Sequence, residues 1–93
     1  MVVRWTRPAA ADLTHICDYT EQRFGVAQAR RVAVAVCEAV ESLGAQPSRG
    51  RRGRKAGTRE LILPGFPFLI VYRLRRSAIE ITRVLHGAQR WPI

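Results

Sequence analysis

Lysine is nearly missing from this chain. Lys55 stands alone beside fifteen arginines, and only seven aspartates and glutamates oppose those sixteen cations. The shortage of acid leaves a formal net charge of +9 and implies a polyanionic partner: nucleic acid, an anionic membrane surface or an acidic protein. Arginine favours bidentate contacts to phosphate or carboxylate, although a GC-rich genome produces the same bias. Cysteine and histidine are equally scarce. Cys17 and Cys37 are isolated within apolar helical patterns, so they are read as buried, reduced thiols and no disulfide framework is expected. With only His15 and His86 to join them and no close-spaced ligand pair, neither a metal nor a cofactor is expected. No stretch approaches the roughly 20 apolar residues of a membrane span, and the opening MVVRWTRPAAADL has no long apolar run. A cytoplasmic protein without membrane contact is the expectation.

What is present fits one domain, residues 1–93, with 47% hydrophobic and 25% charged residues, the proportions of an ordinary globular protein. A chain this short buries only about 60 to 65% of its unfolded surface, so almost every apolar residue must pack. Val2 to Thr6 is β-branched and aromatic and reads as a first strand. Thr6 or Arg7 then leads into a helix with Pro8 at an early position, and Leu13, Ile16, Cys17, Thr20 and Phe24 recur at helical spacing up to Gly25. A second helix is predicted from about Val26 to Leu43, with Ala29, Val32, Ala33, Val36, Cys37, Val40 and Leu43 on one face and Gly44 as its stop.

From Gln46 to Gly57 the segment QPSRGRRGRKAG is rich in glycine and cations and reads as a loop. Three strands are predicted beyond it, over 58–63, 67–74 and 78–86, parted by Pro64-Gly65 and by Arg75-Arg76-Ser77. FLIVYRL is apolar on both faces and belongs at the centre of the sheet. The order is β-α-α-β-β-β: an α+β fold in which a two-helix hairpin packs on one face of a mainly antiparallel four-stranded sheet. The other sheet face is left for function.

The stretches VRWTRPAAADLTHICDYT, GTRELILPGFPFLIVYRL and IEITRVLHGAQRWP, taken in this order, resemble the RelE/ParE superfamily of small bacterial toxins over nearly the whole chain. The resemblance implies the toxin half of a type II toxin–antitoxin pair, held inactive by a cognate antitoxin whose segment wraps around it. It also implies a choice of activities. RelE-like members cleave mRNA on the ribosome, whereas ParE-like members poison DNA gyrase and have no hydrolytic site. RelE-like toxins usually carry an arginine in the central strand and often a tyrosine near the C-terminus. Here PFLIVY places Phe68 at that arginine's position and no tyrosine follows Tyr72. The expectation is a ParE-like gyrase inhibitor, with a ribosome-dependent endoribonuclease and a non-toxic antitoxin-binding module as alternatives.

A nuclease would need a base, cationic donors and an acid, for which the candidates are Glu60, then Arg59, Arg73 and Arg83, then His86. Arg59 and Glu60 project to opposite faces of a regular strand, so both serve one site only across a bulge. The structural alternative pairs Arg73 and Arg83 with Glu60 and Glu80 on neighbouring strands. Candidate contacts to nucleic acid or target are Arg49, Arg51, Arg52, Arg54, Lys55 and Arg59, which concentrate positive charge where no acid occurs between Glu41 and Glu60. The last strand also breaks phase: Ile79 and Ile81 share a face with Arg83 and Leu85, so either that face changes from core to surface near Thr82 or a bulge resets it. Trp5 is expected in the core. Trp91, past the last strand, is read as covering the sheet edge, with anchoring of a partner as the alternative.

Overall fold

A computed structural model describes residues 1–87; Trp91 lies outside them. The elements are β1 (Val2–Trp5), α1 (Arg7–Phe24), α2 (Val26–Ala45), β2 (Arg51–Arg52), β3 (Arg59–Ile62), β4 (Phe68–Arg75) and β5 (Ala78–His86). Thr6 starts α1. Its backbone is extended, its hydroxyl accepts from Ala9 N–H at 3.2 Å, and Pro8 sits in the first turn, where a missing donor costs nothing. Gly25, at φ 90°, closes α1 and opens α2, so the two helices fold back as a hairpin. The second helix runs through the expected stop at Gly44 to Ala45. Pro47 accounts for the difference, because it drives the preceding Gln46 out of the helical region to φ −131°, ψ 76°.

The sheet has five strands in the order β1-β5-β4-β3-β2 rather than four. β1 runs parallel to β5, while the remaining neighbours are antiparallel, and β4 takes the central place its apolar sequence predicts. The additional strand is β2, within the segment expected to be a loop; Arg51 pairs with Glu60 and Arg52 with Arg59. One helical face of the sheet holds the main core. Val32, Val36, Val40 and Leu43 of α2 meet Ile70, Tyr72, Ile79, Ile81 and Val84, with half-buried Trp5 against them. Each fully buried aliphatic side chain contributes about 1.5–3 kcal/mol, which is why the helical period of α2 overrides its many valines. Leu69, Val71 and Leu85 form a smaller cluster on the opposite face.

The phase break in β5 is a bulge. Val71 faces Arg83 but Tyr72 faces Ile81, so Thr82 is the extra residue, and its hydroxyl donates to Val71 O at 3.1 Å. This returns Val84 to the core face that Ile79 and Ile81 occupy. Two expectations for the helices fail. Cys37 is exposed, because the buried stripe of α2 follows Val32, Val36, Val40 and Leu43 and leaves it at the margin; Cys17 is half-buried. Phe24, the last residue of α1, is 70% exposed where the hairpin turns away.

Candidate functional site

The basic segment is built around one acid. Glu60 is 1% exposed, the only buried charged residue among those described. It sits opposite Val71 in the β3–β4 register and therefore projects on the face away from the helices. Its Oε1 accepts from Arg51 Nη2 at 3.2 Å, and its Oε2 accepts from the backbone N–H of Arg54 at 3.0 Å and from Arg54 Nε at 3.3 Å. Burial pushes the carboxyl group up, but these donors from Arg54 and Arg51 outweigh it and hold Glu60 below its ordinary value. A carboxylate held ionised in this way is a fixed counter-charge.

The rest of the segment is tied down from the helical side. Tyr72, fully buried, donates its hydroxyl hydrogen to Pro47 O at 2.7 Å and accepts from Gly50 N–H at 2.8 Å. A Cβ at Gly50 would stand 2.7 Å from the Tyr72 ring, and one at Gly53 would overlap the Thr58 hydroxyl, so both glycines are required by close approach. Gly53 N–H donates to Thr58 O at 2.8 Å, and Arg59 Nη1 donates to Gly50 O at 2.7 Å and Ser48 O at 3.3 Å. Arg49 Nη1 donates to Ser42 Oγ at 2.6 Å. What reads as a loop is thus pinned to β3, β4 and α2. Arg52 and Lys55 are exposed, and the side chains of Arg51 and Arg54 stay 57% and 44% exposed although each also binds Glu60.

The remaining candidates are dispersed. Arg73 pairs with Glu80 across β4 and β5, as its register allows, with Arg75 4.0 Å from the same carboxylate. Arg83 has neither expected partner. It turns to α1, donating from Nε and Nη2 to Asp12 at 2.7 and 3.0 Å, and the backbone N–H of Val84 donates to Asp12 Oδ2 at 3.0 Å. The hydrogen bond that Arg83 donates to Asp12 raises the Arg83 pKa, against the opposing effect of burial. Asp12 therefore closes the edge of β5 beyond the end of β1, a role the sequence reading missed. The available signal was spacing: Asp12, Ile16 and Thr20 lie four apart and share the inward face of α1.

His86 lies opposite Phe68, whose ring it meets edge-on at 5.8 Å. With Val84 and Phe68 it belongs to the helical face, so it and Glu60 stand on opposite faces of the sheet. There it borders a groove of about 600 Å³ between the helix hairpin and the sheet end, whose apolar walls include Ile16, Tyr19, Phe24, Phe66 and Phe68; at the strand end it also borders a hollow that Arg51 and Arg54 share. Arg73 and Arg83 border a separate hollow with Lys55 and Arg75. Among the described residues no group of three or more His, Cys, Asp or Glu side chains is placed to hold a metal ion, and no helix is long and apolar enough to cross a membrane.

Comparison with known proteins agrees in fold and sequence. A family described as the ParE toxin of the type II toxin–antitoxin system, parDE, matches residues 3–91. A putative toxin, Y4kP, of Sinorhizobium fredii is 42% identical over 97% of this chain and 92% of its own length. Toxin RelE2 of Caulobacter vibrioides is 39% identical over 94% and 96%, and toxin ParE1 of the same species is 35% identical over 89% and 85%. A solved structure of the chromosomal ParDE toxin–antitoxin system from P. aeruginosa superimposes with a TM-score of 0.85 at 33% identity, covering 92% of this chain and 95% of that one.

Proposed function

This chain belongs to the ParE family of type II toxin–antitoxin toxins, and from that premise we propose that it inhibits DNA gyrase and is neutralised by a cognate antitoxin. One observation carries the choice of target. The carboxylate and imidazole that an RNA-cleaving site would use as base and acid lie on opposite faces of the sheet, and the carboxylate is buried and held ionised beneath Arg51 and Arg54. General acid–base catalysis needs both groups within hydrogen-bond reach of one phosphate. Arg83, a candidate donor, is engaged by Asp12 and borders a separate hollow. A toxin acting by binding has no need of such a constellation. The relative named RelE2 keeps mRNA cleavage as the second reading.

The antitoxin's seat in this reading is the groove at the helix hairpin, where Tyr19 and Phe24 are 54% and 70% exposed. Aromatic surface of this kind is covered when a partner's apolar side chains occupy it. The deciding experiment uses toxin freed from its antitoxin. It is expected to inhibit gyrase supercoiling or accumulate cleaved DNA complexes, and to leave ribosome-bound mRNA intact. Site-specific mRNA cleavage on ribosomes, lost in His86→Ala with the fold retained, would replace this reading with the RelE-like one.

A further inference from the structure

We propose that the Arg49–Arg59 segment is a preformed binding surface for the phosphate backbone of duplex DNA, and that buried Glu60 is the positioning residue that holds Arg51 and Arg54 in place for it. The proposal rests on the gyrase reading for the choice of DNA. It follows from a conflict between charge and stability. Five cations fall within the seven residues from Arg49 to Lys55, and the β2–β3 register sets Arg52 directly opposite Arg59. Like charges facing across strands destabilise a sheet, and burying a carboxylate beside them costs further free energy. A segment needed only to end a sheet would carry neither.

The geometry shows what the arrangement achieves. A glycine-rich arginine segment left to itself would sample many conformations and lose entropy on every contact. Here Tyr72, Thr58 and Glu60 fix the backbone at Gly50, Gly53 and Arg54. Glu60 uses one terminal nitrogen of Arg51 and the Nε of Arg54, and both side chains remain about half exposed. Exposed Arg52 and Lys55 extend the same surface. Such preorganised forks fit phosphate oxygens, and Glu60, the acid that Arg51 and Arg54 bond among the described residues, is already matched inside. Binding requires no ordering step.

The test is fluorescence anisotropy of a labelled duplex with the full-length toxin across a salt series, without gyrase, beside the gyrase assay above. Wild type is expected to bind with a log–log salt slope of about −0.9 per phosphate neutralised, and Arg51→Ala/Arg54→Ala to flatten that slope by about two. Glu60→Gln decides the positioning role, because the two accounts predict opposite signs. Removing a negative charge tightens DNA binding if only net charge matters. It weakens binding and flattens the slope if Glu60 fixes the two arginines, with Glu60→Asp restoring part of the loss. Where Glu60→Gln fails to fold by circular dichroism, the double arginine variant on the exposed side still decides the surface. Unchanged or tighter binding by folded Glu60→Gln overturns the positioning role. No duplex binding by wild type that still inhibits gyrase overturns the surface and leaves the gyrase reading standing; duplex binding with no effect on gyrase does the reverse. Preference for an acidic peptide or single-stranded RNA over duplex DNA overturns the assignment to DNA.

Discussion

Glu60 is an acid held by two arginines, and that surrounding makes its contribution to stability depend on pH. Because donors from Arg54 and Arg51 keep the Glu60 carboxyl below its ordinary value when folded, the unfolded chain takes up this proton first as pH falls. The resulting stabilisation is complete above the ordinary glutamate range, about 4.3, and is lost as pH drops from there through the folded value. Chemical denaturation of wild type from pH 6 downward should therefore show stability falling below about pH 4, and Glu60→Gln should flatten that part of the curve. Tyr72 is the second residue on which the segment hangs. Tyr72→Phe leaves Gly50 N–H and Pro47 O without their buried partner, for a loss of about 1–3 kcal/mol. Hydrogen exchange at Gly50 should accelerate while the amides of β4 stay protected.

At the scale of elements, the bulge and the helix hairpin decide where β5 points. Thr82 adds one residue opposite Val71 and Tyr72, and Asp12 of α1 then caps the strand edge at Val84 while holding Arg83. Asp12→Ala should cost about 1–3 kcal/mol, since it removes a charged acceptor from a partly buried guanidinium and an edge amide together. The Arg73–Glu80 pair, somewhat more open at 42% and 25% side-chain exposure, should be worth about 1 kcal/mol or less. Urea denaturation of Asp12→Ala beside Glu80→Ala checks the ranking, and equal losses would refute it. Gly53→Ala tests the other hairpin: a Cβ there collides with Thr58, so the variant should lose the β2–β3 pairing, seen as rapid exchange of Gly53 and Arg54 amides.

For the molecule as a whole, family membership and the proposed target predict a growth phenotype. Expression of this chain without a partner should arrest bacterial growth, and co-expression of the adjacent gene product should restore it. Normal growth with soluble protein confirmed would instead support a non-toxic antitoxin-binding module. If the groove at the helix hairpin is the antitoxin's seat, Phe24→Asp should weaken that complex at least tenfold by titration calorimetry while altering toxin stability little, since Phe24 is mostly exposed in the toxin alone.

Local pattern determined the element order apart from β2. The 3.6 period of α2, the cap at Thr6, the turn at Gly25 and the doubly apolar run of β4 are short-range signals, each legible in a few consecutive residues, and together they bring the hairpin onto a sheet with β4 at its centre. The phase break in β5 was equally visible as a question. Its answer required the register against β4, because only the partner strand shows which residue is extra. The candidate site depended still more on tertiary structure. Nothing local reveals that Glu60 turns inward beneath Arg51 and Arg54, that Tyr72 reaches back to Gly50, or that Arg83 finds Asp12, 71 positions away in sequence. Charge in a sequence is a sum, and the sum of +9 is the same whichever acid meets whichever arginine. Folding decides which cations are neutralised inside and which remain at the surface, because a carboxylate is buried only where donors can replace the water it loses.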